Sequence, residues 1–225
     1  MKRAIIIMAK VPVAGAVKTR LQSFLSPEKC AELAAAFLRD AAAKAKIVCE
    51  NTILAYTPAD RKNVLENLLR VENTLVEQIG ATLGDRMANA FKFAFSQDLD
   101  AVLMIGTDSP QVPAASLEQA FELLEANADI VLGKTADGGF YAVGLRKNQP
   151  RLFENVAWSS ERVFRQTARN AARIKLRLAQ IPESFDVDVP PDLAFLRAEM
   201  LADETTRRHA PQTYEWLLAN SSLFV

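Results

Sequence analysis

The sequence predicts an α/β fold, in which a mostly parallel sheet is flanked by helices and all 225 residues form a single domain. Two observations predict this fold. Short apolar runs rich in β-branched residues alternate with segments of helical period, which is typical of βαβ units. In addition, 50% of the residues are hydrophobic and 24% are charged, which provides enough apolar surface for a sizeable core.

Six runs are predicted to be strands. Most are short and apolar, as the buried strands of a parallel sheet are. The apolar run that contains the first strand stops at Lys10, which makes it too short for the core of a signal peptide. The last run alternates between apolar and polar residues, which predicts a half-exposed edge strand. In chain order the predicted strands are residues 4–8, 52–56, 101–105, 129–132, 140–145 and, at the edge, 175–181.

Three helices are marked by apolar residues spaced three or four apart. The first begins after Ser26, an N-cap residue that is followed by a proline in the first turn. The second follows Gly84 and Asp85, and the third follows Pro113. The aromatic residues on these helices are interpreted as core residues.

Charge and residue counts exclude several function classes. The 27 Lys and Arg residues balance the 27 Asp and Glu residues, so no net field attracts nucleic acid, and no apolar run is long enough to span a membrane. One histidine, His209, and two separated cysteines are too few for a structural zinc site or for catalysis by a Ser-His-Asp or Cys-His set. The unclustered thiols predict a reduced, cytoplasmic protein. The sequence does not determine the oligomeric state.

The loop after the first strand is a candidate phosphate-binding loop. It carries three cations, Lys10, Lys18 and Arg20, together with Gly15 and no acidic residue. Backbone N–H groups and cationic side chains in such a loop can surround a polyphosphate. The loop matches neither a Walker A motif nor a dinucleotide-binding turn. The alternative interpretation is a solvated basic loop.

Aspartates follow two of the predicted strands. Asp108 lies in a Gly-Thr-Asp-Ser-Pro turn after the strand 101–105, where its carboxylate can hold Mg²⁺ or Mn²⁺. Asp186 and Asp188 form a D-x-D whose two side chains project to one side of an extended segment, which suits the same cation. The alternative is a capping role, for Asp108 on the helix near Pro113 and for Asp188 or Asp192 on a later helix.

A third candidate segment is Asp137-Gly138-Gly139. Paired glycines permit close approach of a ligand, and Asp137 can accept hydrogen bonds from hydroxyl groups or act as a base. The tripeptide is also typical of a hairpin turn. Gly106, Gly133 and this glycine pair are all expected at or just past strand ends. The loops that carry the candidate residues therefore converge if the strands are parallel. The convergence predicts a metal-dependent site for a phosphorylated ligand.

Together these motifs resemble a bacterial family of GT-A-like transferases, which are often described as glycosyltransferases of radical-SAM or selenoprotein neighbourhoods. The resemblance implies a GT-A, or nucleotide-diphospho-sugar transferase, fold, with a nucleotide at the first loop and a divalent metal at Asp108. One departure is that Asp108 lies in Gly-Thr-Asp-Ser-Pro, whereas most metal-dependent GT-A glycosyltransferases have a D-x-D. The matching segments are residues 10–21, 78–87, 106–110, 133–145, 158–160 and 186–193.

The resemblance also extends the set of candidate binding residues. It adds Gly84 and Arg86 to the nucleotide-binding residues, and it adds Gly138, Gly139 and Trp158 to the substrate-binding residues. Trp158 either faces a sugar ring or is a buried core residue. The same fold, with a similar opening loop, occurs in the 2-phospholactate and molybdenum-cofactor guanylyltransferases.

These features predict a transferase that uses a nucleotide-activated donor. The main hypothesis is a glycosyltransferase in which Asp108, Asp137 and Lys18 are catalytic, with Asp137 orienting the sugar or deprotonating the acceptor. The alternative is a nucleotidyltransferase that joins an NTP to a phosphorylated acceptor and releases pyrophosphate. That reaction needs no obligatory base, which agrees with the lack of a usable histidine. Intact acidic loops argue against a third hypothesis, a nucleotide-binding protein without turnover.

Overall fold

The computed structural model describes residues 1–69 and 74–224. Its strands form one sheet in the order β3-β2-β1-β4-β6-β5-β7. Neighbouring strands are parallel except where β6 pairs with β4 and with β5, so the predicted mostly parallel sheet is confirmed. The strands are β1 (Arg3–Lys10), β2 (Asn51–Thr57), β3 (Thr74–Glu77), β4 (Ala101–Ile105), β5 (Ile130–Thr135), β6 (Phe140–Leu145) and β7 (Leu178–Ser184).

Helices cover both faces of this sheet. One core lies between the sheet and α1, α2 and α4, and a second lies between the opposite face and α3 and α5. No helix in the described part of the chain is long and apolar enough to cross a bilayer. The helices are α1 (Pro27–Val48), α2 (Lys62–Leu69), α3 (Leu83–Phe95), α4 (Ala114–Ala126), α5 (Val163–Arg173), α6 (Pro190–Ala202), α7 (Glu204–His209) and α8 (Pro211–Ala219).

Most predicted elements are confirmed, and the differences have local causes. The predicted edge strand is β7, which does lie at the edge of the sheet but begins three residues later than predicted. Lys175 has a left-handed backbone (φ 57°), and its N–H closes the end of α5 by donating to Ala172 O. The short edge strand β3 was not predicted, because its four residues are too few for a clear pattern.

Gly133 corrects one expectation about strand ends. The glycine lies inside β5, which continues to Thr135 with a register irregularity after Gly133. A Cβ atom at this position would lie 2.5 Å from the ring of Tyr141 on the neighbouring strand β6. The glycine is therefore required by cross-strand packing against an aromatic ring.

Helix α1 is buried on two sides, which the single apolar face seen in the sequence did not indicate. Its second face packs in a third core against α6 and α8. Asp40 on that face is buried and holds the start of α8. Its Oδ1 accepts a hydrogen bond from Gln212 N (3.0 Å), and its Oδ2 accepts from the N–H (2.8 Å) and hydroxyl (2.6 Å) of Thr213.

Asp40→Ala is expected to lower the free energy of unfolding by about 3 kcal/mol, because three donors, two of them buried, lose a charged acceptor. For a chain of this length that corresponds to roughly 6–12 °C in melting temperature, which thermal unfolding will measure. Asp203→Ala is the matched control, since Asp203 accepts from Thr205 N and from the N–H and hydroxyl of Thr206, but on the exposed surface. Equal shifts for the two variants would contradict the importance assigned to burial.

Candidate active site

The loops predicted to converge lie at one edge of the sheet. Strands β1, β4, β5 and β7 run in the same direction, so their carboxyl ends meet there. Backbone hydrogen bonds join the loops to one another. Val187 N donates to Asp108 O (2.8 Å), and Ala136 N donates to Ser184 O (3.0 Å). The loops therefore form one connected surface.

Lys18 connects the first loop to both groups of aspartates. Its ammonium lies 2.5 Å from Asp108 Oδ1 and 3.2 Å from Asp188 Oδ1, and it donates to Val187 O at 2.7 Å. The aliphatic part of the side chain is buried, and the ammonium lies 5.2 Å from the centre of the Phe37 ring. Lys18 has a left-handed backbone (φ 46°), which marks the end of the loop before the short 3-10 helix Thr19–Ser23.

The charge of Lys18 is stabilised by these two carboxylates. Burial alone would lower the pKa of Lys18, but Asp108 and Asp188 outweigh it and raise the pKa above its ordinary value. Lys18 is thus a charged group already paired with carboxylates. A contact between Lys18 and phosphate stays a prediction.

The capping alternatives are resolved by the hydrogen bonds. Helix α4 begins after Pro113 without a side-chain cap, so Asp108 does not cap it. Asp192 does have a capping role, because its Oδ2 accepts from the N–H groups of Asp188 and Val189 (both 2.9 Å). The side chain of Asp188 is left to pair with Lys18.

Asp186 is a partly buried carboxylate next to the Asp108 turn. It accepts a hydrogen bond from the hydroxyl of Ser109, in the turn that also holds Asp108. Burial raises the pKa of Asp186 to about 7, with further increases from the nearby Asp108, Asp137 and Asp188 and an opposing effect from Ser109. Four aspartates therefore share one region of negative potential.

Asp137 lies in the turn between β5 and β6, so the hairpin interpretation of Asp-Gly-Gly is confirmed. Its Oδ1 accepts from Thr135 Oγ1 (2.6 Å) and from Gly139 N (3.0 Å), which fixes the orientation of an exposed carboxylate. Gly138 has φ 87°, and a Cβ there would collide with the backbone of Glu161. The close approach at Gly138 is thus to the protein's own chain.

A buried lysine hydrogen-bonds to the backbone of the Asp108 turn. Lys44 on α1 donates to Pro110 O at 2.8 Å. Burial lowers the pKa of Lys44 to about 8, against the opposing effect of Asp40. The ammonium is a fixed donor beneath the turn. Its place in an apolar helix gave no sequence signal of this contact.

Two adjoining cavities lie at this edge, and we call them the wide and the narrow cavity. The wide cavity has a volume of about 560 Å³ and the narrow cavity about 400 Å³. They share Met8, Arg20, Thr107, Asp108 and Asp188.

The two cavities differ in charge. The wide cavity has one cation, and the narrow cavity has four. The charged residues of the wide cavity are Arg20, Asp108, Asp137, Glu161, Asp186 and Asp188. Those of the narrow cavity are Lys10, Lys18, Arg20, Arg86, Asp108 and Asp188. Lys18 is paired with the two aspartates, and Nη1 of Arg20 lies 3.9 Å from Asp188 Oδ2. Lys10 and Arg86 therefore provide most of the positive potential of the narrow cavity, and the exposed Arg20 adds to it.

Other candidate residues lie apart from the cavities or only partly in them. Gly15 is exposed and lines neither cavity. Gly84 is buried in the first turn of α3, where a Cβ would lie 2.8 Å from Phe153 O and from the indole nitrogen of Trp158. Trp158 packs on Phe153 and is half-buried, but it and Gly139 also line the wide cavity.

The carboxylates have the oxygen donors that Mg²⁺ and Mn²⁺ prefer. Among residues 1–69 and 74–224, no three acidic, histidine or cysteine side chains are grouped as a ready metal cage. Mg²⁺ is commonly held by one or two carboxylates together with phosphates of the substrate and water. Asp108 and Asp188, which one ammonium already bridges, fit this type of site.

Sequence reasoning missed several residues of the site. Ser109 and Glu161 had no assigned role, although Ser109 donates to Asp186 and Glu161 lines the wide cavity. The available signal for Ser109 was its place beside Asp108 in the Gly-Thr-Asp-Ser-Pro turn. The apolar side chains Met87 and Leu83 of α3 also line the wide cavity. The helical spacing of Met87 was interpreted as core alone, and Leu83 had no assigned role.

The architecture is that of the nucleotide-diphospho-sugar transferase fold. A crystal structure from Desulfovibrio desulfuricans G20, provisionally named a nucleotide-diphospho-sugar transferase, matches with TM-score 0.90 and 29% identity, covering 99% of this chain and 97% of that chain. A cytidylyltransferase from Leptospira borgpetersenii matches with TM-score 0.57 and 17% identity (99% and 96% covered). The inositol-1-phosphate CTP transferase from T. maritima matches with TM-score 0.56 and 17% identity (96% and 97% covered). The latter two share the fold.

Residues 30–160 match the model of DUF2064, a family described as an uncharacterized protein conserved in bacteria. The match spans more than half of the 225 residues, so the chain belongs to this family. No curated protein matches the sequence.

Proposed function

We propose that this protein is a glycosyltransferase that uses a nucleotide-diphospho-sugar donor together with Mg²⁺ or Mn²⁺. The observation that carries the proposal is the charge difference between the two cavities. The donor diphosphate binds in the narrow cavity beside Lys10, Arg20 and Arg86. The sugar and the acceptor occupy the wide cavity. The similarity to a structure provisionally named a nucleotide-diphospho-sugar transferase supports a nucleotide-utilising transferase.

The wide cavity suits a neutral, hydroxylated group. Carboxylates such as Asp137 accept hydrogen bonds from hydroxyls, and an aromatic ring such as that of Trp158 can pack on a sugar face. Asp108 and Asp188 are paired with Lys18, but a phosphorylated acceptor would still meet the three other acidic residues of this cavity, Asp137, Glu161 and Asp186. This arrangement favours glycosyl transfer over nucleotidyl transfer.

Four carboxylates have a proposed role. Asp108 and Asp188, with Asp186 beside them, hold the cation, which when bound supplies positive charge to the leaving diphosphate. Thr135 and Gly139 donate to Oδ1 of Asp137 and fix the orientation of the carboxylate. Its second oxygen, Oδ2, then orients the sugar or accepts the proton of the acceptor hydroxyl. Lys18 keeps Asp108 and Asp188 in place until the donor and the cation bind.

The test begins with a thermal-shift panel of nucleotide sugars, NDPs and NTPs, each with and without Mg²⁺ or Mn²⁺. A ligand at 100 times its Kd raises the free energy of unfolding by about 2.7 kcal/mol, which raises the melting temperature by roughly 5–11 °C for a chain of this length. The best ligand is then incubated with the protein, and released NDP and pyrophosphate are both measured. We expect a metal-dependent shift with one nucleotide sugar and release of NDP.

Two outcomes would contradict the proposal. Pyrophosphate release from an NTP would favour the nucleotidyltransferase alternative. The absence of a shift with every nucleotide would exclude both reactions. A narrow-cavity variant, Arg86→Gln, is the control for site specificity, since it should reduce the shift without affecting the carboxylates.

A further inference from the structure

A second basic region lies away from the active-site loops. Residues 146–177 contain nine Lys or Arg residues and two glutamates, which gives a net charge of +7 in a chain of net charge zero. Seven of the nine cations are arginines. The remainder of the chain therefore carries a net charge of −7.

Part of this charge lines a cavity of about 450 Å³, which we call the rear cavity. Its cations are Arg146, Lys147, Lys175 and Arg177. Arg146 follows the end of β6, and Arg177 precedes β7. The rear cavity is thus at the sheet edge opposite the wide and narrow cavities.

Only one of the four cations is neutralised. Arg177 forms a two-point ion pair with Asp129, with Nε–Oδ2 at 2.8 Å and Nη2–Oδ1 at 3.0 Å. Arg177 is the main cause that lowers the pKa of Asp129 to about 2. Within the described ranges 1–69 and 74–224, Arg146, Lys147 and Lys175 have no salt-bridge partner.

Helix α5 extends the positive potential along the surface. Arg165, Arg169 and Arg173 are spaced four residues apart, so they lie on one face of the helix, and all three are exposed. Arg173 is two residues from Lys175, so this row leads into the rear cavity. Residues 146–177 contain none of the large exposed apolar side chains of the described chain. The surface is therefore suited to an ionic ligand.

We propose that the rear cavity binds a ligand with two or more phosphate groups, separately from the nucleotide site. Three unpaired cations around a concave site match a group that carries several negative charges and many acceptor oxygens. Arginine side chains give two-point contacts to phosphate oxygens, and arginines dominate this segment. Phosphates of this kind are provided by a soluble oligophosphate or by anionic lipid headgroups. The proposal does not depend on the proposed glycosyl transfer.

Titration calorimetry with tripolyphosphate at fixed ionic strength tests the proposal. The narrow cavity is also basic, so the measurement is made in a Lys10→Gln/Arg20→Gln background that weakens binding there. We expect saturable binding in this background and about a tenfold or greater rise in Kd when Lys147→Gln and Lys175→Gln are added. Lys46→Gln/Lys92→Gln is the matched control, because it removes the same charge from exposed positions elsewhere.

A vesicle arm distinguishes the sources of phosphate. Sedimentation with phosphatidylglycerol vesicles that depends on Lys147 and Lys175, without saturable tripolyphosphate binding, would assign the site to lipid headgroups. Saturable tripolyphosphate binding without vesicle binding would assign it to a soluble ligand. Binding of neither probe, or an equal effect of the control pair, would overturn the proposal.

Discussion

Asp108→Asn is expected to lower kcat by roughly 10²–10³-fold or more, while the protein stays folded. Asparagine has nearly the same shape, but it lacks the negative charge that pairs with Lys18 at 2.5 Å and that we assign to the divalent cation. The variant therefore loses electrostatic stabilisation of the leaving diphosphate without losing volume. The measurement is steady-state release of NDP with the donor found by thermal shift, together with the far-UV circular dichroism of the variant.

The control for this experiment is Asp98→Asn. Asp98 pairs with Lys2 on the exposed surface before β4, at the edge away from the site. Its removal should leave kcat unchanged. Full metal-dependent turnover by Asp108→Asn would show that Asp108 is not a cation ligand, and the assignment of Asp188 and Asp186 would then fail with it.

The sequence predicted which loops meet, because this depends on strand direction. Buried apolar runs such as Ala101–Ile105 have a clear pattern, and the carboxyl ends of parallel strands must lie at one edge. The position of Asp108 followed directly from that rule. The antiparallel strand β6 did not disturb it, because the hairpin at Asp137 turns at the same edge.

The partners of the charged side chains could not be predicted in the same way. Lys18 and Asp188 are separated by 170 positions in the sequence, and their contact depends on the conformations of two loops. A basic loop and an aspartate look the same in sequence whether they bind a ligand or each other. Similarly, Lys44 and Asp40 occur in an apolar helix, and only the packing of α1 against α8 and the Asp108 turn explains their burial.

Lys18→Met is expected to have the largest effect on stability among the substitutions at the site. Methionine keeps most of the side-chain volume against Phe37, but Asp108 and Asp188 lose their shared cation and Val187 O loses its donor. Breaking a fully buried ion pair costs about 3–5 kcal/mol. The two carboxylates here are partly solvated, so we expect about 2–3 kcal/mol, or roughly 4–12 °C in melting temperature.

Lys10→Met is the matched control, because Lys10 lines the same narrow cavity but is exposed. It should leave the melting temperature unchanged and weaken only nucleotide binding. If Lys18→Met also melts like the unmodified protein, the contacts of Lys18 do not stabilise the fold, and its main role is then in binding phosphate.

Lys18→Met also distinguishes the role of the lysine from that of the proposed metal ion. In the unmodified protein, the Lys18 ammonium and a divalent cation would compete for the same two carboxylates, those of Asp108 and Asp188. Without the ammonium, the repulsion between these two carboxylates is no longer offset. A divalent cation that binds between them therefore stabilises the folded variant by a larger free energy than it does the unmodified protein. We therefore expect Mn²⁺ alone to raise the melting temperature of Lys18→Met by more than that of the unmodified protein. An equal effect of Mn²⁺ on both proteins would mean that the cation, if it binds, does not bind between Asp108 and Asp188.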